Sequence, residues 1–357
     1  MRARLRRVRK RSGSFGAGPW IGLCAALLLV VDLVVVVERG PSTVSAPALL
    51  GTAQGEGREA GQESAPPPVP RRVPVATRLP YASHDRLDAY RGVGAWVDVF
   101  DYAPAFQNPG TPPAVRPESI AQMAAAGVST VYLQSARDDP RSPGDLADPQ
   151  VFGAILRQAH AHEMRVVAWY LPTFVNPERD LRRLVAVHRF RAGEQRIDGL
   201  AVDIEWVRGV ANPAERNRRL VDLSYRLRAA VGDDPLGAIV LPPVDTDIIN
   251  PRLWPAFPWQ QLGDVYDVWL PMSYWTNRSG NWRDAARYTS ENIRRLRAHI
   301  GPSVEIHAVG GIGDLATTSD YHGFLLAARQ GATIGVSIYD WDTAQAPAWQ
   351  LLGAVRS

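Results

Sequence analysis

Lysine is nearly absent from this chain: Lys10 stands alone, and every other basic side chain is an arginine. That pattern reads as a bias of base composition rather than as chemistry. Cysteine is equally scarce. A single residue, Cys24, excludes an intramolecular disulfide framework and any cysteine-built metal site. Also missing are a His-Glu-x-x-His helix, a Gly-x-Ser-x-Gly elbow and a phosphate-binding Walker loop. Their absence removes the usual signatures of zinc proteases, α/β-hydrolases and P-loop enzymes. No metal or organic cofactor is expected.

The body of the chain also lacks a basic surplus, although the formal charge is +4 and the isoelectric point about 9.4. Seven of the basic residues crowd into Met1–Arg11, so the remainder is net negative. A nucleic-acid partner, which needs a basic stripe along its docking face, is therefore not expected.

What is present falls into four parts. Residues 1–19 form a basic tail, expected to stay in the cytoplasm. Residues 20–37 form an apolar run, Trp20 to Val37, spanning about 27 Å as a helix, close to the hydrocarbon thickness of a bilayer. Asp32 interrupts it at a cost of about 2.5–3.5 kcal/mol on an insertion scale, which the surrounding Leu and Val offset. The basic flank sets the orientation of a single-pass signal anchor in the cell membrane, with the following domain outside. A cleaved signal peptide is the alternative, with Val44-Ser45-Ala46 as its small-residue site; the domain is then secreted. The run exceeds the ~7–15 residues of an ordinary signal core, which favours the anchor. Residues 38–82 are rich in Pro, Gly and Ala and read as a disordered linker.

Residues 83–357 alternate apolar β-rich runs with amphipathic helical patterns. Eight strands are expected: 94–100, 129–134, 165–171, 199–205, 237–241, 265–272, 304–309 and 333–339. Helices are expected over 117–126, 150–163, 178–190, 214–231, 282–299, 319–330 and 346–355. Eight strand–helix units match the ~250 residues of a (β/α)8 TIM barrel. A doubly wound sheet also alternates, but no Gly-x-Gly-x-x-Gly turn follows the first strand.

The sharpest chemical feature is Ile197-Asp-Gly-Leu-Ala-Val-Asp-Ile-Glu-Trp206. Side chains alternate along a strand, which separates Leu200, Val202 and Ile204 from Ala201, Asp203 and Glu205. The apolar set is expected to face the helices. The carboxylates then face the barrel axis at the strand's C-terminal end, where barrel enzymes place their sites. Two like charges so close cannot both ionise freely, and one becomes a proton donor near neutral pH. Glu205, nearer the mouth, is the better acid.

This segment resembles the fourth strand of glycoside hydrolase family 18, the chitinase-like barrels, with its Asp-x-x-Asp-x-Asp-x-Glu. Asp198, Asp203 and Glu205 match three of the four acids, and Ala201 stands where the second is expected. The resemblance implies Glu205 as general acid/base and Asp203 as the residue that orients a substrate N-acetyl group. Met272-Ser-Tyr274 is similar to the family's sixth-strand Met-x-Tyr, implying that Tyr274 contacts the reacting group. Gly335-Val-Ser-Ile-Tyr-Asp-Trp341 is similar to the eighth strand, where Tyr339 or Trp341 floors the sugar site. A divergent bacterial family of glycoside-hydrolase-like barrels fits the same residues.

Because Ala201 departs from the pattern, Asp98 or Asp101 at the first strand and Asp340 after the eighth are alternative sources of a second carboxylate. Trp96, Trp169, Tyr170, Trp206, Tyr274, Trp275, Tyr339 and Trp341 lie near strand ends, and several aromatics at one rim suit a carbohydrate cleft. The expected substrate contacts are thus Asp98, Tyr170, Met272, Trp275, Tyr339, Asp340 and Trp341. Asp245 and Asp247 either line the cleft or cap the next segment, with capping favoured. The expected function is an extracytoplasmic, retaining glycoside hydrolase acting on an N-acetylhexosamine-containing or related envelope polysaccharide. A catalytically inactive sugar-binding barrel and an envelope scaffold are the alternatives.

Overall fold

The structure, a computed structural model, describes residues 85–354, which fall within the compact unit Arg78–Ser357. The expected basic tail (1–19), membrane anchor (20–37) and linker (38–82) all lie outside the described residues. Among the described residues, no helix is long and apolar enough to cross a membrane.

Eight parallel strands close into a barrel in sequence order. They are β1 (Gly92–Val97), β2 (Thr130–Ala136), β3 (Arg165–Tyr170), β4 (Gly199–Ile204), β5 (Leu236–Val240), β6 (Val268–Pro271), β7 (Glu305–Ile312) and β8 (Gly335–Tyr339). β8 pairs with β1 through Gly94 opposite Ser337, which removes any free sheet edge. The helices are α1 (Val99–Tyr102), α2 (Ser119–Ala125), α3 (Pro149–Ala161), α4 (Pro177–Arg189), α5 (Pro213–Val231), α6 (Trp259–Gly263), α7 (Ala285–Ile300), α8 (Thr318–Gln330) and α9 (Ala346–Gly353). Proline opens α3, α4 and α5 behind Asp148, Asn176 and Asn212, whose side chains accept from first-turn N–H groups.

The expected alternation is therefore the observed one, with two local corrections. The first strand stops at Val97. Asp98 and Asp101 form a reciprocal capping box that starts α1, so the chain turns into a helix where a strand was expected through Phe100. Between β5 and β6, where no helix was expected, the chain makes a π-turn over Asp245–Ile249 and the short α6.

Large polar aromatics from the lower layers fill the barrel interior. Tyr90 closes the bottom, its hydroxyl donating to the Leu200 carbonyl at 2.6 Å. Glycines make room for it: a Cβ on Gly237 would sit 2.8 Å from its ring, and one on Gly335 would sit 2.4 Å from its carbonyl oxygen. Above it, His307 Nδ1–H donates to that carbonyl at 2.8 Å, leaving Nε2 to accept from Ser337 Oγ at 2.9 Å. Ser337 Oγ in turn accepts from Trp96 Nε1 at 2.8 Å. Burial pushes the His307 imidazole down to about 4, so it is neutral at pH 7. This hydrogen-bonded stack gives the barrel interior a rigid base.

Candidate active site

At the C-terminal end of β4 the expected division of faces holds. Ala201 is level with Trp169 of β3 and Gly237 of β5, and Asp203 is level with Ile239. Trp169 and Gly237 face the axis: the Trp169 ring meets that of Trp96 at 5.8 Å, and Gly237 faces Tyr90. Asp203 is therefore an inward residue. It is buried, and its Oδ1 has no hydrogen-bond partner. Glu205, just past the strand, is partly exposed.

Burial raises the Asp203 carboxyl well above the usual range, and the neighbouring Glu205 charge adds to it. Burial also raises Glu205. A carboxylate oxygen without a donor is costly to leave ionised, so the pair retains a proton to higher pH than either acid would alone.

A second acidic group sits where β8 meets β1. Carboxylate oxygens of Asp98, Asp101 and Asp340 lie within 4.8 Å of one another, and all three residues are buried. Among the described residues, this is the set whose donors could converge on a cation. Their oxygens already have other partners. Asp98 accepts from the Phe100 N–H at 2.7 Å and from the Tyr339 hydroxyl at 2.7 Å. Asp101 accepts from the Asp98 N–H at 2.8 Å, and Asp340 accepts from the N–H and hydroxyl of Thr343, both at 2.9 Å. Burial raises all three; repulsion from neighbouring carboxylates adds at Asp101 and Asp340, and Asp340 is pushed up to about 6.

The aromatic rim separates into two sets. Trp96, Trp169, Tyr274 and Tyr339 belong to the mouth: Trp96 contacts Trp169 at 5.8 Å and Tyr339 at 6.4 Å, and Tyr339 contacts Tyr274 at 6.0 Å. Met272, buried and bridged to Val309, continues the inward register of Leu270 on β6.

Two expected contacts are corrected. Tyr170 alternates to the outer face, where its hydroxyl donates to Asp180 Oδ1 of α4 at 2.8 Å. Trp275 is fully buried against Phe324 of α8, with ring centroids 5.3 Å apart. Both pack behind the sheet and cannot touch a ligand in the barrel. Trp341 is partly exposed and lies on Trp349 of α9 at 4.9 Å, so Tyr339 rather than Trp341 takes the inward place on β8.

Other acids have structural partners. Asp198 lies at the bottom of β4 and pairs with His160 at 2.8 Å. Asp245 accepts from the Tyr288 hydroxyl at 2.7 Å and pairs with Arg278. Asp247 pairs with Arg295 and His299, both at 2.9 Å. Neither Asp245 nor Asp247 caps the next segment through its side chain, contrary to expectation.

One residue of the site escapes a sequence reading. Strict alternation from Gln134 would turn Arg137 outward. A bulge in β2 sets Gln134 level with Trp169 but Ala136 level with the outward Tyr170, which reverses the parity and brings Arg137 to the mouth. Its positive charge acts on Asp98, Asp203 and Glu205 alike, opposing their upward displacement.

No protein-family model matches the chain, and no curated protein sequence matches it. Solved structures do. The spore cortex-lytic enzyme SleL of Bacillus megaterium QM B1551 superposes with a TM-score of 0.51 at 10% identity, covering 73% of each chain. A class V chitinase from Pseudomonas fluorescens Pf-5 gives 0.51 at 11% identity, over 75% of this chain and all of the other. A family GH18 chitinase from Cycas revoluta, solved with allosamidin, gives 0.51 at 11% identity, over 74% and 99%. The barrel thus has the fold of these glycoside hydrolases. At such identities the likeness reaches the fold and stops there.

Proposed function

We propose that this protein is a glycoside hydrolase that cleaves an N-acetylhexosamine-containing or related envelope polysaccharide. One observation carries the reading: Asp203 and Glu205 are adjacent inward carboxyls at the catalytic end of β4, one buried without a hydrogen-bond donor and the other open to the cleft. Placing two such acids side by side, one of them buried without a donor, is expensive unless they have a task.

In this reading Glu205, nearer to solvent, protonates the leaving oxygen and then activates water. Asp203 orients the substrate's N-acetyl group, whose carbonyl oxygen is the internal nucleophile, so the anomeric configuration is retained. Tyr274 donates to the reacting group. Trp96 and Tyr339 offer the aromatic floor on which a sugar ring's C–H face stacks. The apolar run at residues 20–37 supports placing the barrel outside the membrane.

A second reading rests on Ala201, which removes one acid of the chitinase-like pattern. Without it the barrel would bind sugar and leave it uncut. The test uses the full-length protein and its Glu205→Gln variant with chitin oligomers, peptidoglycan and bacterial exopolysaccharides, following reducing ends. Cleavage by the parent alone supports the hydrolase. Sugar binding by both proteins with cleavage by neither supports the silent barrel.

A further inference from the structure

Two aspartates follow Arg137 in sequence, and other arginines occupy both. Asp138 pairs with Arg179 at 2.6 Å, and Asp139 takes Arg141 at 2.8 Å. Arg141 and Arg137 lie on the same ring, Phe100 of α1, with guanidinium carbons 5.6 and 5.0 Å from its centroid. The two arginines therefore share a platform but not a fate: Arg141 is neutralised by Asp139. Among the described residues Arg137 has no carboxylate within ion-pair distance.

The backbone of Arg137 is held in place. Arg183, buried under the loop, donates to the Arg137 carbonyl at 2.6 Å and to the Ser142 carbonyl at 2.6 Å. The β2 bulge aims the side chain inward, and the Phe100 face supports it from α1, whose N-cap is Asp98. The guanidinium is thus a cation at the same end of the barrel as Asp98, Asp203 and Glu205, its charge acting on all three while it is bonded to none of them. An arginine in that position acts through its field, and it does so strongly because the acids are poorly solvated.

Ala201 supplies the complementary fact. The resemblance to the chitinase-like pattern implies an acid at this position that supports its neighbour, here Asp203, electrostatically. Here a methyl group faces the axis, level with Trp169. Asp203 thus has no proton-sharing partner beneath it, and its Oδ1 accepts no hydrogen bond.

We propose that Arg137 is the positioning residue of the β4 acid pair, its guanidinium stabilising the anionic member of Asp203–Glu205 in place of the support that Ala201 cannot give. The inference rests on the pair being the catalytic one, as proposed above. Arg137 touches no reacting atom in this scheme. It sets the pH at which the pair gives up its proton.

The experiment follows the ¹³C-carboxyl resonances of Glu and Asp through a pH titration of the full-length protein. The Glu205 signal is identified by its loss in Glu205→Gln. In Arg137→Gln the Glu205 signal should titrate at higher pH than in the parent, and Arg137→Lys should restore much of the difference. A Glu205 titration unchanged in Arg137→Gln, in protein with a native circular dichroism spectrum, overturns the proposal.

On any cleaved polysaccharide, the acidic limb of kcat/KM should move upward in the same order, with KM changed by no more than about twofold. A purely structural role would lower stability and leave that limb in place, which would also overturn the proposal. Absence of cleavage on every substrate defeats the hydrolase reading alone, because the resonance titration does not depend on turnover.

Discussion

The Tyr339 hydroxyl donates to Asp98 Oδ2 at 2.7 Å across the seam where β8 meets β1. The bond links an inward aromatic of β8 to the carboxylate that caps α1. It favours the charged form of Asp98 against the opposing effect of burial. Tyr339→Phe keeps the ring and removes the donor. Asp98 should then protonate at higher pH, and the Tm difference between variant and parent should widen as the pH rises from 5 to 8. A constant difference would show that the bond carries no charge preference.

Glu205→Gln should reduce turnover by about 10²–10⁴, the usual contribution of a general acid. Asp203→Asn should reduce it similarly while leaving the Tm unchanged or higher, because it removes a buried carboxylate that lacks a donor. A marked fall in Tm would mean that Asp203 is a structural residue.

His307 gives the fold a pH dependence of definite sign. Its value falls from 6.5 in the unfolded chain to about 4 in the barrel, so between those limits the unfolded state binds the extra proton. The stability it contributes is complete above pH 6.5 and is lost as the pH falls toward 4, by about 3 kcal/mol in all. Urea unfolding at pH 4.5 and 7.0 should show the loss, and His307→Gln should flatten the profile.

Asp340 works in the opposite direction. Its carboxyl is raised from 3.8 to about 6, so its favourable contribution is present below pH 3.8 and disappears as the pH rises through 6. Asp340→Asn keeps an acceptor for Thr343 and removes the charge. It should stabilise the protein at pH 7 relative to pH 4.5, measured by the same unfolding curves. An equal change at both pH values would show that Asp340 does not titrate in this window.

Gly335→Ala tests the packing at the base of the barrel. The added Cβ would lie 2.3 Å from His307 Nδ1 and 2.4 Å from the Tyr90 carbonyl oxygen. It strikes the hydrogen bond between those two atoms, so the variant should lose about 1–3 kcal/mol, read from urea unfolding. An unaffected midpoint would mean that the stack can move aside.

Much of this molecule could be read from its linear pattern. The eight strands and seven of the helices followed from the alternation of apolar runs, and Asp203 and Glu205 followed from period-two alternation along β4, which needs no knowledge of the neighbouring strands. Where local chemistry ran against that pattern, the reading failed. The Asp98–Asp101 capping box turned the end of an expected strand into α1, and the same strand-end aromatics split between the cleft and the outer packing. Only the closed barrel decided the rest. It brought Asp340, just past the last strand, beside Asp98, just past the first, because a sheet must meet itself to lose its edges. It also brought Arg137 to the mouth, because a single extra residue in β2 reverses which side chains face inward. Side-chain alternation is local and is written in the sequence. Registry between strands, and the fields that buried charges exert across a barrel, exist only once the strands have closed.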